Sequence, residues 1–202
     1  KFGAPYVRRL MNTYFRETVK ALRKLPHSDQ IQSLCLANEP TFRSSFSKEF
    51  FTVDFAKHLE AKYRTVAALN AAWGTTLPSF AAAAGDSVPA WRKDCDGRLF
   101  DYHDFAQQYF ADWHRELAAA VKAEWPDMPV HVKTMNHAVI NPVLFKEYNV
   151  DPERFSALSD LNGNDSEFVY KRGRWQANWN DSAMSYTLQR SFKKAEIVKK
   201  IH

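Results

Sequence analysis

Glycine is scarce in this chain, at 6 of 202 residues. No glycine-rich turn follows any candidate strand, so a phosphate-cradling loop of the dinucleotide or nucleotide type is excluded. Cysteine is scarcer still. Cys35 lies in an apolar stretch and Cys95 in a polar one, and 2 cysteines make neither a disulfide framework nor a zinc site. In the apolar stretch Cys35 reads as a small buried hydrophobe. No apolar run approaches the ~20 residues of a membrane span, and no signal-peptide pattern is present. The chain starts at Lys1-Phe2-Gly3 without a methionine, as expected of a processed form or a piece of something longer. Compartment and oligomeric state therefore stay open.

Charge of one sign is also lacking. The formal net charge is +5, with 28 basic residues against 23 acids. The tightest basic cluster is Lys193, Lys194, Lys199 and Lys200. No zinc-finger, RNA-recognition or basic-zipper pattern accompanies it, so a solvated surface is favoured over a nucleic-acid partner. What the chain has in quantity is aromatic side chains, 15 Phe, 8 Tyr and 6 Trp. These supply a core, and exposed ones can stack on flat apolar faces such as those of sugar rings. The length suits one domain spanning 1–202.

Periodicity predicts alternating elements. Pro5 to Leu25 reads as an amphipathic helix closed by Pro26. Residues 31–37 read as a strand with both faces covered. Asn38, Glu39 and Pro40 end it, and Pro40 stops further ladder pairing. Two helices follow, about Phe50 to Tyr63 and Val66 to Trp73, the second with Thr65 as N-cap and Gly74 as terminator. Residues 75–100 read as a long excursion with little regular structure. Asp101 to Trp125 is the longest expected helix, and Val130 to Thr134 the next strand, running into Met135-Asn136-His137. Asp151-Pro152-Glu153 starts a short helix over 152–157. Leu158 to Leu161 is a strand candidate ending in Asn162-Gly163-Asn164-Asp165. A polar loop over 166–180 carries Trp175 and Trp179. A helix capped by Asp181 or Ser182 reaches Phe192, and Ile197-Val198 begins a last strand.

Alternation of this kind implies an α/β fold with a parallel sheet. Three strand ends then carry Asn38-Glu39, Asn136-His137 and Asn164-Asp165. A parallel barrel or an open doubly wound sheet brings such ends to one edge, where ligands bind. Glu39 has two readings at this point: a reacting carboxyl, or a loop acid paired with an arginine such as Arg43.

Ala37-Asn38-Glu39-Pro40 at a strand end resembles the acid/base motif of clan A glycoside hydrolases. Phe55 to Tyr63 followed by Val66 to Thr75 resembles the stretch after the acid/base residue in family 42 β-galactosidases. There Arg64, in Lys62-Tyr63-Arg64-Thr65, stands where that group carries glycine. Ser185-Tyr186-Thr187-Leu188-Gln189-Arg190-Ser191 resembles the helix before the nucleophile strand. The resemblance covers about 30–192 in patches. It implies a (β/α)8 TIM barrel, of which this chain is a fragment covering about strands four to seven, since a whole barrel takes ~250 residues. It further implies a retaining glycoside hydrolase acting on a β-linked carbohydrate. Glu39 would be the general acid/base and Asn38 the partner of the sugar 2-hydroxyl. Asn136, His137, Asn164 and Asp165 would contact hydroxyls or orient carboxylates, and Trp175 or Trp179 would stack on a sugar face. No cofactor is implied, and with no cysteine between Pro40 and Asp94 no zinc cluster is expected. The implied nucleophile should end the strand after Arg190-Ser191. The chain there reads Ala195-Glu196-Ile197-Val198-Lys199-Lys200, with Glu196 at the wrong end of the strand and Lys200 near the expected place. The alternatives are a non-catalytic or truncated carbohydrate-binding barrel and, less favoured, a basic scaffold for nucleic acid.

Overall fold

A computed structural model of the chain describes residues 5–42, 48–85, 97–135, 139, 148–165, 168–171, 173–177 and 179–193. Helix α1 spans Pro5–Leu22, β1 Leu34–Asn38, α2 Lys48–Tyr63, α3 Val66–Trp73, α4 Phe80–Gly85, α5 Gly97–Glu124 and β2 Val130–Met135. Then come α6 Pro152–Leu158, β3 Gly163–Asp165, β4 Phe168–Lys171, β5 Arg174–Ala177 and α7 Trp179–Phe192. Strands β1, β2 and β3 form one parallel sheet in that order, and β4 and β5 form an antiparallel hairpin.

The local signals for α3 act as their chemistry dictates. The Thr65 hydroxyl accepts a bond from the Ala68 amide, and Gly74 ends the helix at φ 64. At α6, Asp151 caps the first turn by accepting from the amides of Glu153 and Arg154, with Pro152 at the first helical position. Arg64, between α2 and α3, takes φ 67. That left-handed conformation costs a side chain with a Cβ about 1 kcal/mol, which is the physical sense of a glycine at such a corner.

Several expectations are corrected. Helix α1 ends at Leu22, and the chain turns through a short 3-10 segment, Ser28–Gln30, before β1. The stretch 75–100 is less irregular than expected: the alanines at 81–84 lie in α4, and α5 begins at Gly97. Gly97 sits against Trp73, where a Cβ would come within 3.2 Å of the indole. The strand expected over 158–161 forms later, because Lys133 pairs with Gly163 and Met135 with Asp165. The loop expected over 166–180 contains the β4–β5 hairpin, turned at Gly173 with φ 75, and α7 starts at Trp179. The strand expected at Ile197-Val198, together with Glu196 and Lys200, lies outside the described residues.

The covering of the sheet also differs. Val130, Val132 and Thr134 of β2 and Leu36 of β1 are buried, alternating with partly exposed His131, Lys133 and Met135. The buried set joins Val19 of α1, Phe110, Leu117 and Val121 of α5 and Phe155 of α6 in one core. Cys35 belongs to the other face and is exposed, so the reading of it as buried fails. Among the described residues, helices cover one sheet face and leave the other open. Gly163 marks how close β3 lies to β2. A Cβ there would stand 2.8 Å from the His131 ring and 2.8 Å from the Val132 carbonyl oxygen.

Candidate active site

Because β1, β2 and β3 run parallel, their carboxyl ends share one edge. Asn38 closes β1 opposite Lys133 and is exposed. The Glu39 amide then donates to the Lys133 carbonyl at 2.8 Å, carrying the chain one residue past the strand. Glu39 itself has φ 48. Left-handed backbone at a bulky acid is uncommon and clusters at functional positions. Beyond buried Pro40 the chain is tied down twice. The Phe42 amide donates to the Tyr148 carbonyl at 2.8 Å, and the Asn149 amide side chain donates to the Phe42 carbonyl at 2.7 Å. Asn149, also left-handed at φ 50, is held in turn by His103 of α5 at 2.9 Å.

Glu39 meets Asp165 across the edge. The Asp165 carboxylate accepts from the Lys133 ammonium, whose nitrogen is 3.0 Å from Oδ2, and also meets the Glu39 carboxyl. Those two contacts, the Glu39 one first, hold Asp165 below the usual carboxylate range. Lys133 is raised above its ordinary value, first by its bond to Asp165, with the charges of Glu39 and Cys35 adding to it. Near them His131, lying across Gly163, is lowered by burial, and its Nδ1 has no hydrogen-bond partner among the described residues.

Asn164 is directed elsewhere. Its amide donates to the Gln189 side chain of α7 at 3.1 Å. Gln189 in turn donates to the Gly163 carbonyl at 3.1 Å, and Asn162 donates to the Gln189 carbonyl at 2.7 Å. Adjacent strand residues point to opposite faces, so Asp165 turns to Glu39 while Asn164 fastens the sheet to α7. Trp175 lies in β5 and Trp179 opens α7. Asn136 and His137 lie outside the described residues. No group of three or more His, Cys, Asp or Glu is disposed to hold a metal ion among the described residues, and no helix among them is long and apolar enough to cross a membrane.

A second polar cluster escaped the sequence reading. Asp101 of α5 is 1% exposed and collects the Lys62 ammonium, the Tyr63 hydroxyl at 2.6 Å and the Trp73 indole N–H at 2.8 Å. Burial and the bond to Asp101 push the Tyr63 hydroxyl up to about 12. Asn70 closes the turn after α3 by accepting from the Leu77 amide and the Thr75 hydroxyl, each at 2.8 Å. The residues that carry the family resemblance after Glu39 thus build a frame around α5.

A family model for glycoside hydrolase family 42, described as β-galactosidase, matches residues 5–198. The chain belongs to glycoside hydrolase family 42. Its fold is similar to that of the apo exo-carrageenase of this family from Bacteroides ovatus, with TM-score 0.71, 19% identity, 95% of this chain covered and 28% of that one. It is likewise similar to the β-galactosidase from Bacillus circulans sp. alkalophilus, with TM-score 0.70, 19% identity, and 95% and 27% coverage. The cold-adapted β-galactosidase from Rahnella sp. R3 gives TM-score 0.70, 19% identity, and 96% and 27% coverage. The chain thus spans between a quarter and a third of the length of these three structures. Among curated proteins nothing matches it. Membership of family 42 agrees with the resemblance at Ala37–Pro40 and Phe55–Thr75, and the α/β fold agrees with the alternation of elements.

Proposed function

We propose that this chain is the acid/base-bearing part of a retaining glycoside hydrolase acting on a β-linked carbohydrate of the β-galactoside kind. It would correspond to about strands four to seven of the barrel. The observation that carries the reading is Glu39, in left-handed backbone at φ 48, at the carboxyl edge of a parallel sheet whose third strand ends in Asp165. Retention needs two carboxyl groups about 5–5.5 Å apart, one a nucleophile and the other an acid that later acts as base. Glu39 serves as the acid that protonates the leaving oxygen in the first step. Asn38, next to it and exposed, bonds the sugar 2-hydroxyl. Asp165 orients Glu39, Asn164 orients β3 through Gln189, and Asn136, His137 and Trp175 contact the sugar. The nucleophile comes from a strand beyond β3.

The test is hydrolysis of an aryl β-galactoside by the chain and by its Glu39→Gln variant. Loss of about 10²–10⁴ in turnover with unchanged folding is expected for removal of an acid/base group. Equal and measurable turnover in the two proteins overturns the role of Glu39. A second reading, a carbohydrate-binding piece without its own nucleophile, is favoured by the sequence after Ser191, where Lys199 and Lys200 follow Ile197-Val198. Galactose binding without turnover would select it.

A further inference from the structure

Asn149 carries no charge and lies far from Glu39 in sequence, yet it fastens the stretch that Glu39 opens. It is 3% exposed and takes left-handed backbone at φ 50. Asparagine is among the few residues with a Cβ that tolerate that region. Its side chain is engaged at both ends. Nδ2 donates to the Phe42 carbonyl at 2.7 Å, so Oδ1 faces Nδ1 of His103 at 2.9 Å. An amide oxygen only accepts, which makes the His103 nitrogen the donor and holds the amide the right way round. Phe42 is bound by its other backbone group too, its amide donating to the Tyr148 carbonyl at 2.8 Å. Its buried ring stacks on Phe110 and Tyr109, with centroids 5.2 and 5.8 Å apart.

We propose that Asn149 is a positioning residue for Glu39, acting through Phe42. On its amino side Glu39 is fixed by the bond from its amide to the Lys133 carbonyl at 2.8 Å. On its carboxyl side Pro40 and Thr41 lead directly to Phe42. Pro40 is buried, and its ring fixes its own φ. So short and stiff a link carries the position of Phe42 back to Glu39. The hold is needed because Glu39 is strained twice over. Its φ of 48 is uncommon for an acid, and a residue before proline is pushed toward extended backbone. Strain of this kind persists only where the surroundings over-determine it. With the bond to the Phe42 carbonyl gone, Glu39 relaxes toward extended backbone and its carboxyl turns away from the sheet edge. An acid so turned is out of hydrogen-bond reach of the leaving oxygen.

The purpose of this hold rests on the reading of Glu39 as the acid. The test reads the backbone of Glu39 rather than turnover, so the two fail separately. It uses NMR of the full chain labelled with nitrogen-15 and carbon-13, with Leu34 of β1 as the internal reference. The Leu34 amide is bonded to the Pro129 carbonyl at 2.9 Å, at the far end of the same strand. Asn149→Gly accepts the left-handed backbone without cost and removes only the side chain. In that variant the order parameter of the Glu39 amide should fall from about 0.85 toward 0.6. The Glu39 Cα and Cβ resonances should move toward extended values, while Leu34 stays as it was. Asn149→Asp still accepts from His103 but cannot donate to Phe42, so it should repeat the result. His103→Phe is a milder variant at a half-buried position, where a phenyl ring preserves the packing on Tyr102. It should move Glu39 in the same direction by a smaller amount. If Asn149→Gly lowers the urea midpoint but leaves the order parameter and carbon shifts of Glu39 unchanged, Asn149 holds only its own loop and the proposal is overturned. Glu39 signals untouched by His103→Phe overturn it equally.

Discussion

Asp101 and Asp165 are both held by a lysine, and their surroundings differ in one decisive respect. Asp101 is deep between α2, α3 and α5, and its other partners are a phenol and an indole, which donate and do not compete for charge. Asp165 is at a strand end in partial contact with water, and its other partner is a second carboxyl. The first arrangement commits every oxygen to the frame. The second leaves its acids at the edge of the sheet, in partial contact with water. The distance from Asp101 to its partners in sequence, 28 to 39 residues, shows that the frame is built from long-range contacts. The carboxyl pair needs only three neighbouring strand ends.

Five measurements test that contrast. The largest effect is expected for Asp101→Ala, which leaves an ammonium, a hydroxyl and an indole N–H without their acceptor. Urea unfolding should show a loss of about 3 kcal/mol, because the hydroxyl and the indole N–H lose their acceptor while the Lys62 ammonium keeps contact with water. Next comes the contribution of α5 to the pH dependence of folding. His114, bonded through Nδ1 to the Phe110 carbonyl, is lowered by burial to about 4. Its neutral form is favoured in the fold, while the unfolded chain takes up a proton below about 6.5. Stability is therefore full above that value and lost as pH falls toward 4, by about 3 kcal/mol at most. His114→Gln should flatten the dependence in urea midpoints between pH 7 and 4, and a profile unchanged in slope would move the titrating group elsewhere. A smaller loss, about 1–2 kcal/mol, is expected for Trp73→Phe, which keeps the packing and removes one N–H donor to Asp101. The smallest effects close the series. Arg64→Gly should raise stability by about 0.5 kcal/mol as the left-handed corner relaxes, part of the gain being offset by chain entropy. Asp165→Asn should leave the urea midpoint where it was, since exposed ion pairs contribute little. Comparable destabilisation by Asp101→Ala and Asp165→Asn would dissolve the distinction between frame and site.

What the sequence disclosed is what local chemistry decides. The caps of α3, the proline start of α6 and the strand leading to Glu39 each rest on a few adjacent residues. Glu39 and Asp165 were both legible as polar residues at strand ends. Their contact was not, because it depends on the register that sets Met135 beside Asp165. Asn164 and Asp165 looked alike as candidates, and only the alternation of strand faces sends one to Gln189 and the other to Glu39. Lys133 read as one residue of an alternating strand, with nothing nearby in sequence to reveal the acids it meets. The exposure of Cys35 escaped for a related reason, since an apolar run does not say how many of its faces another layer covers. Asp101 sat unnoticed at the expected start of a helix, its partners lying in a segment noticed for its resemblance.

Gly163 acts as a key that admits only one reading frame between two strands. With 2.8 Å to the His131 ring and to the Val132 carbonyl, the slot tolerates no side chain. Sliding β3 by one residue would press Asn162 or Asn164 into it and exchange the faces of Asn164 and Asp165. Asp165 would then be turned toward α7 and an amide toward Glu39. A residue that touches no ligand and carries no charge thereby guards the chemistry against misassembly. Gly163→Ala should be felt as a disturbance of the Glu39–Asp165 contact as well as of the sheet.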